Sequence, residues 1–129
     1  MRVNIIIWLV LSISVMGCVD LVDHVYRIEI HNYSNDTIQF YSSYNYPDTS
    51  IDATKPRLIM ATPSYFGYLD SKYEWKDVLP KDTILIYILN KDTVDGYSWE
   101  TIKNEYKILK KYTLSVQDLE NSDFKVSYY

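Results

Sequence analysis

The chain has 129 residues and a formal net charge of −4, from 13 Lys+Arg against 17 Asp+Glu. With 47% hydrophobic and 23% charged residues it has the balance of one globular domain and not of a disordered chain. One Cys excludes an internal disulfide framework, the acidic balance disfavours nucleic acid, and 3 Gly leave little for a phosphate-cradling loop.

The chain order begins with an address. Met1–Asn4 carries Arg2, and Ile5–Ile13 is almost continuously apolar. A charged start, a short apolar run and then small residues are the parts of a secretory signal, here residues 1–17. The run is shorter than the roughly 20 apolar residues that span a bilayer. Val15-Met16-Gly17-Cys18 resembles the lipobox of bacterial lipoproteins. That resemblance implies a diacylglyceryl group on the Cys18 sulfur, cleavage just before Cys18, and an acyl chain such as palmitate on the new amino terminus. The alternative is an ordinary secretory signal with a free Cys18. Val19 after a lipidated Cys implies sorting to the outer membrane. Asp20 and Asp23 resemble an acidic surface-export signal, but a solvated tether reads the same, so the leaflet stays open. At about 3.5 Å per residue, the tether Val19–Asp23 reaches under about 20 Å, so the domain of residues 24–129 is expected to sit close to its membrane.

Residues 24–129 are read as one β-rich domain. His24–His31 alternates, with Tyr26, Ile28 and Ile30 on one face and Arg27, Glu29 and His31 on the other, the pattern of a half-buried strand. A turn cluster over 32–36 follows. Thr37–Tyr44 is a second strand, expected to pair with the first as a hairpin. Residues 45–56 are loop, and Arg57–Ala61 is a short strand. Thr62–Lys72 reads as irregular but aromatic, and Glu74–Leu79 as one helical turn ended by Pro80. Thr83–Asn90 is apolar from Ile84 through Leu89, which predicts a central strand buried on both faces. Lys91–Gly96 is expected to be a turn.

Ser98 is placed to cap a helix running to about Tyr106, with Trp99, Ile102 and Tyr106 sharing a face. Residues 108–114 fit a helix or a strand, and strand is preferred because Ser115 restarts a helix. Ser115-Val116-Gln117-Asp118 has the form of a capping box. Phe124–Tyr129 alternates as a last strand. The predicted fold is mainly β (α+β): an antiparallel sheet or two-layer sandwich with two or three short helices.

Three segments carry a family resemblance: Phe40-Tyr41-Ser42-Ser43-Tyr44-Asn45-Tyr46-Pro47-Asp48-Thr49, Tyr97-Ser98-Trp99-Glu100-Thr101-Ile102, and residues 108–120 from Ile108 to Glu120. With the lipobox, they make the chain resemble small uncharacterised lipoproteins of Bacteroidales. The resemblance covers about half the chain, implies a Gram-negative envelope location, and brings no catalytic or ligand residues.

Motif chemistry is sparse. His24 and His31 are expected on opposite strand faces, where they cannot share a metal. Asp92–Glu100 fails the spacing of a calcium loop. HExxH, CxxC and GxSxG are missing, so no catalytic residue, metal or cofactor is expected. The unusual resource is 14 Tyr. Tyr41, Tyr44, Tyr46, Tyr65 and Tyr68, with Tyr73, cluster around predicted loops, and flat rings with a hydroxyl rim suit interfaces and sugars. The competing reading is that they pack a small core poor in Leu and Phe. Thr37, Thr83 and Thr93 each sit in an Asp-Thr-apolar triplet, the form of bacterial O-glycosylation sites and equally of a turn Asp before a strand-opening Thr. The expected function is a non-catalytic, membrane-tethered interaction module whose partner is an envelope protein. A surface glycan-binding lipoprotein is the alternative, and a small hydrolase comes third.

Overall fold

The computed structural model describes residues 24–129. The signal (1–17), Cys18 and the tether (18–23) lie outside the described residues. Seven strands form two sheets. β1 (Tyr26–Asn32) lies between β4 (Phe66–Ser71) and β7 (Lys125–Tyr128), antiparallel to the first and parallel to the second. β2 (Ile38–Ser43) and β5 (Thr83–Asn90) are the inner strands of a wholly antiparallel sheet, flanked by β3 (Ile59–Ala61) and β6 (Lys110–Ser115). Four short helices complete the fold: α1 (Trp75–Val78), α2 (Lys91–Gly96), α3 (Trp99–Asn104) and α4 (Val116–Asn121).

The architecture follows from where apolar side chains find cover. Ile28 and Ile30 of β1 pack with Ile38 and Phe40 of β2 and with Ile84, Ile86 and Ile88 of β5, all fully buried, to form the layer between the sheets. The alternate residues of β5, Leu85, Tyr87 and Leu89, face the other way. They are covered by Val94 of α2, Ile102 of α3 and Ile51 of the long loop. β5 is thus buried on both faces, as its unbroken apolar run requires. Polar contacts hold the two sides of the sandwich. The buried Asn32 side chain of β1 donates to the Ala61 carbonyl of β3 at 2.9 Å, and the Tyr112 hydroxyl of β6 donates to the Ser127 carbonyl of β7 at 2.7 Å.

Three local expectations are corrected. β1 and β2 do not form a hairpin, because the segment after Asn32 crosses from one sheet to the other. The crossing lets the apolar faces of both strands meet across the core, whereas a hairpin would have left them side by side. The aromatic stretch 62–72 is not irregular; it holds β4. There the inward positions are Gly67 and Leu69, while Phe66 and Tyr68 point out, so the usual apolar-in pattern is inverted and reads as a loop. Residues 91–96 are helix, not turn. The Asn90 side chain accepts from the Asp92 and Thr93 amides and caps it.

Two expectations over 108–118 hold, and the extent of the preceding helix is corrected. Residues 110–115 are strand, and the Ser115–Asp118 capping box is present with both reciprocal bonds. Helix α3 ends at Asn104, so Tyr106, at φ 50° and half exposed, leaves the face of Ile102.

Candidate functional site

The candidate binding tyrosines separate into two groups. Strand alternation sends Tyr41 into the layer under the helices, where it is 2% exposed and stacks on Tyr87 with ring centroids 4.8 Å apart. Burial pushes the Tyr41 hydroxyl well above the ordinary tyrosine range. Tyr46 is half-buried against the same cluster. Tyr41 and Tyr46 are therefore removed from the candidate surface: they pack core, as the competing reading of the tyrosines had it. Tyr44, Tyr65, Tyr68 and Tyr73 are exposed.

Tyr44 and Tyr68 meet in a groove of about 390 Å³. Ile59 and Leu69 line it from the edge strands β3 and β4, Ser42 and Tyr44 from the end of β2, and Arg57, Tyr68 and Asp70 complete it. Tyr65 is not among these lining residues. The sequence reading missed Arg57, Asp70 and Arg27. For Arg27 the available signal was the alternation of β1, which puts Arg27, Glu29 and His31 on one outward face, opposite Asp70, Tyr68 and Phe66 of β4 respectively. It could not be used while β4 was read as irregular.

The charges around the groove are ordered. Arg27 binds Asp70 through two bonds, Nε to Oδ1 at 2.7 Å and the second guanidinium nitrogen to Oδ2 at 3.0 Å. These bonds hold the Asp70 carboxyl below its usual range. The Arg27 guanidinium also lies 4.3 Å from the centroid of Tyr68, a cation–π contact on one ring face. This exposed pair adds little stability, but it fixes Tyr68 and occupies Asp70. The other ion pairs of the described residues engage His31, Lys76, Lys91, Lys107 and Lys125. Arg57 thus stands in the groove without a carboxylate partner among the described residues.

Farther along the same sheet face, His31 bridges Glu29 and Tyr33. Its Nε2 lies 2.8 Å from the Glu29 carboxylate and its Nδ1 3.2 Å from the Tyr33 hydroxyl. An ionised carboxylate only accepts, so Nε2 carries a proton and donates to Glu29. The ring packs 4.3 Å from Phe66, and Tyr33 stacks on Tyr129 at 5.3 Å. His24 packs instead edge-on against Tyr26. Among the described residues no group of three or more His, Cys, Asp or Glu is arranged to hold a metal.

The threonines of the Asp-Thr-apolar triplets differ in access. Thr83 is 9% exposed, and its hydroxyl donates to the Lys81 carbonyl at 2.9 Å, so it is closed to modification in the folded chain. Thr37 and Thr93 are half-buried, and Thr93 lies inside α2 and not at the start of a strand. No helix of the described residues is long and apolar enough to cross a membrane. The chain matches no family model, no curated protein and no solved structure.

Proposed function

We propose that the protein is a non-catalytic binding module, held on the outer membrane by a lipid on Cys18, and that Tyr44 and Tyr68 form its contact surface. One observation carries this reading. Two exposed tyrosines far apart in sequence, Tyr68 on β4 and Tyr44 just past the end of β2, line one groove. Exposed aromatic side chains around a concave surface favour a partner. The lipobox-like Val15–Cys18 segment and the short tether favour a partner close to the membrane.

Hydrolysis in this groove receives little support. Acid–base cleavage by carboxylates needs two of them facing one bond, and the groove is lined by one, Asp70, which is bound on both oxygens by Arg27. The glycan-binding reading is favoured by the same groove, because Tyr44 and Tyr68 line it together with Arg57, whose guanidinium has no carboxylate partner among the described residues.

The test is crosslinking in native membranes followed by capture of the full chain. Wild type is expected to recover a partner, and Tyr44→Ala and Tyr68→Ala to lose it while melting at the wild-type temperature. Equal recovery by both variants overturns the assignment of the surface. Protease treatment of intact cells then reports the leaflet: loss of the protein places it outside, and protection until lysis places it in the periplasm.

A further inference from the structure

We infer that the groove between β3 and β4 takes a saccharide bearing a carboxylate, with the apolar faces of the sugar against Tyr44 and Tyr68 and its carboxylate on Arg57. The inference rests on the binding-module reading and names the ligand class of that site.

Charge is the first ground. The chain as a whole is acidic, at −4, yet this groove is not. Asp70 is the one carboxylate lining it and is already neutralised by Arg27 through two hydrogen bonds. That leaves the Arg57 guanidinium as a net positive charge with no carboxylate partner among the described residues. A guanidinium fork matches a carboxylate in two parallel bonds. An unpaired cation beside a neutralised acid selects an anionic ligand over a neutral or cationic one.

Shape and surface are the second ground. A volume of about 390 Å³ lies at the small end of ligand sites. The groove is lined by Tyr68 of β4, Tyr44 just past β2, the apolar Ile59 and Leu69, and Ser42. A sugar ring has apolar C–H faces and a hydroxyl rim, and so uses rings and hydroxyls together. An acidic peptide would use Arg57 but leave Tyr44 and Tyr68 without a matching flat surface. Tyr68 is pre-positioned, since Arg27 covers one of its faces, and less ordering is then required on binding.

The experiment uses the full chain in detergent and titration calorimetry with short oligosaccharides of galacturonate, glucuronate and N-acetylneuraminate. Each is paired with its methyl ester, and an oligoglutamate peptide serves as the peptide arm. At least one acidic saccharide is expected to bind, with its ester weaker by about ten- to a hundredfold, the effect of losing a charge-assisted pair. Arg57→Ala should abolish the preference for acid over ester. Arg57→Lys, which keeps the charge and loses the fork, should fall between. Tyr68→Ala should weaken acid and ester alike.

Equal binding of acid and ester overturns the inference. So does failure of all three acidic saccharides, and so does oligoglutamate binding that is indifferent to both tyrosine variants. The two levels separate cleanly. If no acidic saccharide binds while Tyr44→Ala and Tyr68→Ala still lose the crosslinked partner, the ligand class is wrong and the binding module stands. If those variants also keep the partner, the assignment of this surface falls with it.

Discussion

The ring of Phe40 on β2 fills the space that a Cβ on Gly67 of β4 would occupy. The two sheets are in direct contact here, at a position where the inward face of β4 presents no side chain. Gly67 is buried and Phe40 fully so, hence the ring has no solvent to retreat into. Gly67→Ala should lower stability by about 1–3 kcal/mol, the usual cost of overpacking a core. Urea denaturation reads this as a lower midpoint at unchanged slope. An unchanged midpoint would mean that the sheets separate without cost at this point.

Asn32 sets the corner at which the chain passes between sheets. Its amide nitrogen donates to the Asp36 carbonyl at 2.8 Å and to the Ala61 carbonyl at 2.9 Å, and its side-chain oxygen accepts from the Ser34 amide at 3.0 Å. Asn32→Ala leaves those buried groups unpaired and should cost about 1–3 kcal/mol. Asn32→Asp should cost more, since a carboxylate oxygen would face the two carbonyls. Equal midpoints for Ala and Asp in chemical denaturation would contradict this.

Tyr87 ties the long loop to the helix-covered face of the sheet. Its hydroxyl donates to the Thr49 and Ser50 carbonyls at 2.8 and 3.0 Å, and burial pushes it up to about 12. Tyr41, stacked against it, is pushed up further for the same reason. Raised folded values mean that the native state holds these protons after the unfolded chain has released them. Their contribution is therefore whole below pH 10, the ordinary tyrosine value, and is lost as pH rises toward 12. Alkaline titration should show Tyr41 and Tyr87 ionising together with unfolding, followed by phenolate absorbance and circular dichroism. The Tyr87→Phe variant should melt lower and show faster amide exchange over residues 45–56. Phenolate absorbance from all 14 Tyr appearing before any loss of structure would refute the assignment.

Cys18 is the one cysteine of the chain, so the anchor has a single test. Expressed in a Gram-negative host fed labelled palmitate, the full chain should take up label and sediment with membranes. Cys18→Ser should do neither. A wild-type chain without label would overturn the lipid anchor. Two acyl signals give stable attachment where one gives marginal binding, so partial acylation should appear as partial release in carbonate washes.

Local chemistry carried much of the fold. The alternation of Arg27–His31, the unbroken run Ile84–Leu89 and the Ser115–Asp118 box each state their structure within a few residues, because backbone preference and one-sided burial act at that range. The Asn90 cap was equally local and was overlooked, since Lys91–Gly96 has the composition of a turn. Pairing was not legible in the same way. β1 is parallel to β7 across the length of the chain, and nothing near either strand specifies that partner.

The same division runs through the candidate site. By itself the sequence determined the β-rich class, the doubly covered β5 and an excess of tyrosine, all set by composition and by periods of a few residues. Only the tertiary structure decided which tyrosines matter. Tyr41 and Tyr44 are three residues apart, yet one lies under the helices and the other beside Tyr68 and Arg57. The physical reason is that alternation assigns a side chain to a face, while burial depends on what the rest of the chain lays over that face.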